Sequence, residues 1–212
     1  MTDIAIVDYG MGNLRSVAKA LEHVAPEAVI AVTNNPEVVR KAERVVVPGQ
    51  GAMPDCLREL DRVGLREAVR DAAANKPFLG ICIGLQMLFE SSEEGNVSGL
   101  GIVPGRVKRF PASAMKDEKG QKLKVPHMGW NQVHQTVEHS LWKNIANDSR
   151  FYFVHSYYVE TADANSAGHS AYPFHFTCAV AKDNIFAVQF HPEKSHTAGL
   201  TLLNNFVRWK PA

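Results

Sequence analysis

The chain has 212 residues, 45% hydrophobic and 21% charged, with a formal net charge of +1. That length supports one large core or two small ones, and the balanced charge gives no electrostatic case for nucleic acid or an anionic membrane. No apolar run reaches the length of a membrane-spanning helix, and residues 1–10 lack a signal pattern. The three cysteines, Cys56, Cys82 and Cys178, are odd in number and scattered, which fits a reduced cytoplasmic protein and offers no metal-ligand spacing.

Ile4–Val7 is a short continuous apolar run, expected as a strand buried on both faces. It ends in the loop Asp8–Asn13, after which Leu14, Val17, Ala18, Leu21 and Val24 recur at helical spacing. Two glycines behind a first strand suggest a dinucleotide fingerprint, but the third is missing and Arg15 stands in its place. Ala28–Thr33 reads as a second strand, and Asn34-Asn35-Pro36 as the start of a short helix over Glu37–Lys41. Arg44–Val47, a third strand, runs into Pro48-Gly49-Gln50-Gly51. That loop can turn backbone N–H groups toward an oxyanion; alone, it is more often a plain βα connection. Leu57, Leu60, Leu65, Ala68, Val69 and Ala72 mark a helical region before a fourth strand at Pro77–Leu79.

Gly80-Ile81-Cys82-Ile83-Gly84 follows, opening onto the apolar-periodic segment Leu85–Glu90. A cysteine between glycines at a strand-to-helix turn has the form of a nucleophile elbow. The turn is tight, its centre strained, and flanking side chains would crowd the backbone. A thiol at the positive end of a helix favours its nucleophilic thiolate. The alternative is a small buried hydrophobe. The β-α alternation up to residue 92 argues a parallel sheet with helices on both faces. Ligands of such sheets bind at the carboxyl ends of strands, where the Gly12, Gly49–Gly51 and Cys82 loops lie.

After about residue 95 the pattern changes. Gly99–Phe110, Val125–His134, Phe151–Glu160, His169–Ala181 and Ile185–Phe190 are β-like runs, expected to extend one edge of the same sheet in antiparallel or mixed order. Lys116–Lys124 reads as a hairpin tip or mobile loop, and a final helix spans about Ala198 to Lys210. No linker divides the chain, so one domain over 1–212 is expected. Ala187–Phe190 runs into His191-Pro192-Glu193. Two residues apart beyond a strand, His191 and Glu193 can project to one side of an extended backbone. The carboxylate could then fix the imidazole tautomer, leaving the other nitrogen to take and return a thiol proton. By itself, one histidine among nine is more often structural.

Pro48-Gly49-Gln50-Gly51, Gly80–Gln86 and Phe190-His191-Pro192-Glu193 together resemble the motifs of class I glutamine amidotransferases, in the family's order and over essentially the whole chain. The resemblance implies an α/β, flavodoxin-like fold and a Cys82-His191-Glu193 triad releasing ammonia from L-glutamine, with no cofactor or metal. It implies oxyanion donors at the Ile83 amide and at Gln50 or Gly51, and glutamine contacts from Gly51, Gln86, Glu94 and the His155-Ser156-Tyr157 backbone. Glu94 could equally be a solvated residue near a helix end. Gln50 departs from the pattern: other members carry valine there, in a loop that must rearrange to complete the oxyanion hole.

Asp8–Leu14, Pro126–Asn131, Phe151–Tyr157 and Gln189–Ser195 are similar to those members that pair, as a heterodimer, with a separate (β/α)₈-barrel cyclase. Asn13, Trp130, Tyr152 and Lys194 are the interface candidates, core packing being the alternative for the two aromatics. A glutaminase for another synthase, a free-standing cysteine hydrolase and a non-catalytic binding subunit remain open readings.

Overall fold

The computed structural model describes residues 2–116 and 120–211. In its first half, β1 (Ile4–Val7), α1 (Leu14–Val24), β2 (Ile30–Thr33), α2 (Pro36–Lys41) and β3 (Arg44–Gly49) follow one another. Next come α3 (Met53–Arg62), α4 (Arg66–Asn75), β4 (Phe78–Cys82) and the short α5 (Ile83–Gln86). Helix α1 turns Val17, Ala18, Ala20 and Leu21 into the core, the apolar stripe of its sequence. Asn35 caps α2 through its side chain, and Pro36 takes a first-turn position where a missing N–H costs nothing. Strand β2 starts at Ile30 rather than Ala28, because the Ala28 N–H closes a turn onto the Ala25 carbonyl at 3.0 Å.

Two further expectations are corrected in this half. The helical region around residues 57–72 is two helices, broken at Gly64, whose φ of +70° leaves the helical range. The periodic stretch Leu85–Glu90 is not a helix of several turns; α5 ends at Gln86. Its next carbonyls are taken by another segment: Met87 accepts from the Leu100 amide, Leu88 from Ile102 and Val103, and Phe89 from Gly101. Buried side chains at Met87, Leu88 and Phe89 anchor that crossing.

The second half holds β5 (Ser91–Ser92), β6 (Val97–Ser98), β7 (Arg106–Arg109), β8 (His127–Gln135) and β9 (Ser149–His155). It continues with β10 (Tyr157–Glu160), β11 (Ser166–Ala171), β12 (His175–Lys182), β13 (Ile185–Val188) and α6 (His196–Arg208). The β5–β6 hairpin has no sequence signal, and the run Gly99–Phe110 is strand only over β7. Residues 117–119 of the polar segment lie outside the described residues; on either side of them, Lys116 bridges Lys122 antiparallel.

The sheet runs β2-β1-β3-β4-β13-β12-β10-β7-β5-β6, with β11 on β12, and β8 joining β11 to β9. β2, β1, β3, β4 and β13 are mutually parallel; β12 then pairs antiparallel. Helix α1 packs on α6 and α2 on α4; with the usual right-handed crossovers and the β2-β1-β3 order, α1 and α2 fall on opposite faces of the sheet. A single cluster of buried apolar side chains runs from Ile4 to Trp209.

Candidate active site

Last among the strands in sequence, β13 lies central in space. Its register against β4 sets Val188 opposite Ile81, so the next residue, Gln189, comes level with Cys82. On the other flank β3 sets Gly49 opposite Cys82. The cysteine therefore stands at the carboxyl edge between two parallel neighbours. Its backbone has φ +57° and ψ −110°, a strained conformation for a residue with a side chain. Close approach explains the flanking glycines. A Cβ on Gly84 would lie 1.8 Å from the Val47 carbonyl oxygen, and one on Gly80 would lie 2.7 Å from that of Gly84.

Because α5 is a single turn, its dipole is a weak source of positive charge at Cys82. The charge comes from His191. Burial opposes protonation of this imidazole, but the Cys82 thiolate and the Glu193 carboxylate together lift its pKa to about 10. His191 Nδ1 lies 2.9 Å from Glu193 Oε1, with the two side chains 2% and 1% exposed. Glu193 does not reach His191 along an extended backbone as expected; it sits in the 3₁₀ turn Pro192–Lys194, which folds the carboxylate back. Ser195 holds that turn, its hydroxyl donating to the His191 carbonyl at 2.6 Å and accepting from the Tyr152 amide at 3.0 Å. His191 Nε2 has no hydrogen-bond partner of ordinary geometry among the described residues and is left for the cysteine side.

Cys82 and His191 share the wall of a cavity of about 400 Å³ with Ile83, Gln50 and Gly51. The Ile83 amide belongs to the first turn of α5, whose N–H groups have no partner within the helix. The same wall carries Gln86, Glu94, His155, Ser156, Tyr157 and Lys194, with Pro126 and Val154. Glu94 is more than a solvated residue: its Oε2 accepts from the Met53 amide at 2.7 Å, capping α3, whose Ala52 has no capping side chain. A larger hollow of about 1090 Å³ adjoins it at Pro126, but no cysteine or histidine lines that one.

The four interface candidates divide. Trp130 is 41% exposed and therefore not core. It stacks on His196 at 4.9 Å and meets Tyr152 edge-on at 6.0 Å, while the Lys194 ammonium stands 5.9 Å over the Tyr152 ring. Asn13 is the N-cap of α1, accepting from the Ser16 amide at 3.4 Å. Three residues of the site carry no role in the sequence reading: Gln189, Ser195 and His127. Gln189 donates to Cys82 Sγ at 3.6 Å. His127 Nδ1 lies 3.0 Å from His155 Nε2. Both lie in stretches that carry the resemblance, yet only pairing across strands reveals their neighbours.

The model of the family "Glutamine amidotransferase class-I" matches residues 5–209. The chain belongs to the class I glutamine amidotransferases. Among curated members of that family, "Imidazole glycerol phosphate synthase subunit HisH" of Nitrosospira multiformis is 96% identical over the full length of both chains. The protein of the same name from Nitrosomonas europaea is 66% identical, again over both full lengths. A solved structure, that of a putative GMP synthase component from Thermoplasma acidophilum, superposes with a TM-score of 0.71 at 20% identity. It covers 98% of this chain and 93% of that one, and shows that the fold is shared.

Proposed function

We propose that this chain is the glutaminase subunit of an imidazole glycerol phosphate synthase, acting in histidine biosynthesis. The observation that carries this reading is the meeting of Cys82, His191, Ile83, Gln50 and Gly51 on one cavity wall, with buried Glu193 bonded to His191 behind it. The full-length identity to HisH proteins supports the choice among amidotransferases.

The Cys82 thiolate attacks the side-chain amide carbon of glutamine. The Ile83 amide, with that of Gln50 or Gly51, stabilises the oxyanion, each such donor being worth about 3–4 kcal/mol in the transition state. With its pKa near 10, His191 holds a proton at neutral pH and passes it to the departing nitrogen, releasing ammonia. Water, deprotonated by His191, then cleaves the thioester to glutamate and restores the thiolate. Gln86, Glu94 and the His155–Tyr157 backbone hold the substrate.

Ammonia freed into water at neutral pH becomes mostly ammonium and loses its nucleophilicity. The reading therefore includes a (β/α)₈-barrel cyclase subunit docked over Trp130, Tyr152, Lys194 and Asn13 as a heterodimer. That partner turns the phosphoribulosyl-formimino-AICAR nucleotide into imidazole glycerol phosphate and AICAR. We assign the pair to the cytoplasm; no helix among the described residues is long and apolar enough to cross a membrane.

The test is Cys82→Ser in the assembled synthase. Glutamine-dependent product formation disappears, while ammonium salt still supports the cyclase. Equal loss with both nitrogen sources overturns the triad, and full glutaminase activity of the isolated chain favours a free-standing hydrolase.

A further inference from the structure

Gln189 is wholly buried, and its side chain bridges two residues of the site. Its Oε1 accepts from Gln86 Nε2 at 2.9 Å, and its Nε2 donates to Cys82 Sγ at 3.6 Å. A primary amide could face the sulfur with either end, and the two ends act oppositely on a thiolate. The surroundings settle the orientation. The Tyr157 carbonyl can only accept, and Gln86 presents its NH₂ to it at 3.5 Å. The same NH₂ faces Gln189, so Gln189 must answer with oxygen and turn its N–H groups toward sulfur.

The Tyr157 carbonyl is itself held from the other side. His155 Nδ1–H donates to it at 2.7 Å, and His127 Nδ1–H donates to His155 Nε2 at 3.0 Å. Asn131 Nδ2, at 3.3 Å from His127 Nε2, closes that arm. Burial keeps both imidazoles neutral, so each ring nitrogen has one role. Two arms with defined polarity thus meet at one carbonyl.

We propose that Gln189 is a positioning residue for the nucleophile: its N–H, oriented by the Tyr157 carbonyl through Gln86, holds the Cys82 sulfur as an acceptor beside His191. The inference rests on the reading of Cys82 as nucleophile and adds a third partner to it. Gln189→Met keeps the length and removes the donor. Gln189→Glu keeps an acceptor for Gln86 and turns an oxygen toward the sulfur.

In the assembled synthase, kcat with glutamine falls roughly 10–100-fold in Gln189→Met and further in Gln189→Glu. In Gln189→Glu, which keeps the acceptor for Gln86, the KM for glutamine stays within about twofold, and the ammonium-dependent rate is unchanged in both variants. Alkylation of Cys82 by iodoacetamide at neutral pH slows with kcat. The other thiols stay silent, since burial pushes Cys56 up to about 11 and Cys178 higher still. A purely structural role moves different quantities: KM rises in Gln189→Glu or the ammonium-dependent rate drops, and alkylation stays at the wild-type rate. That pattern overturns the inference.

If both variants fail to fold, Gln86→Met releases the Gln189 amide to turn. Slower alkylation there supports the inference, and wild-type alkylation overturns it. Glutaminase activity that survives Cys82→Ser refutes the nucleophile itself. Loss in Cys82→Ser with wild-type behaviour in Gln189→Met refutes only the part given to Gln189.

Discussion

Cys82 adopts a backbone conformation that costs on the order of 1–3 kcal/mol for a non-glycine residue. It persists because β3 and β13 clamp the strand on both flanks and because Gly84 lets the following turn drop onto the Val47 carbonyl. Gly84→Ala puts a methyl where 1.8 Å is available to a backbone oxygen. The strand, not a flexible side chain, has to move. The variant is expected to lose about 3 kcal/mol of stability by urea unfolding. Glutaminase activity falls with it, since the same shift moves Ile83 and Cys82. Unchanged unfolding and activity would show that the turn has slack. The crowding at this pentapeptide is legible from its glycines. That Glu193 reaches His191 through a 3₁₀ turn is not, because a residue spacing of two fits both an extended and a turned backbone.

Among the elements, β8 and β9 carry a pair of histidines that differ from His191 in charge. His127 and His155 face each other across this hairpin, flanked by Phe153, Tyr172 and Phe176. Burial lowers their pKa values to about 4 and about 3. In the unfolded chain an imidazole titrates near 6.5, so below that pH the unfolded state takes up protons that the folded state refuses. Stability from this pair is complete above about pH 6.5 and falls as pH drops toward 4, by up to about 1.4 kcal/mol per pH unit for each histidine. His191, with its pKa raised to about 10, has the opposite sign: its contribution is complete below about pH 6.5 and fades as pH rises through 10. Denaturant unfolding at pH 7, 6 and 5 measures the first window. His127→Gln is expected to flatten that slope, and an unaltered slope would place the acid sensitivity elsewhere.

At the scale of the molecule, the cavity opens beside an aromatic group too exposed to be core. Trp130, Tyr152, His196 and Lys194 group into one patch, and Lys194 belongs both to it and to the cavity wall that carries Cys82 and His191. Aromatic side chains at the centre of an interface commonly carry 2 kcal/mol or more of binding energy, roughly a 30-fold change in affinity. Trp130→Ala is expected to weaken cyclase binding by about that factor in calorimetric titration. Thermal stability should hold, because Trp130 is 41% exposed. Full affinity in this variant would move the docking face off β8.

What the sequence by itself determined is local or periodic. The parallel half follows from apolar runs alternating with amphipathic stretches, and the tight turn at Cys82 from two flanking glycines, where side chains would crowd the backbone. What only the tertiary structure decided is pairing over long separations. No local pattern says that β13, the last strand in the sequence, inserts beside β4 and sets Gln189 level with Cys82. Nor does it say that Met87–Phe89 bonds residues 100–103 and so cuts α5 to one turn. Such pairings are set by which backbone groups and apolar faces meet once the whole core has closed. The amide that points at the sulfur is fixed by a carbonyl on another strand.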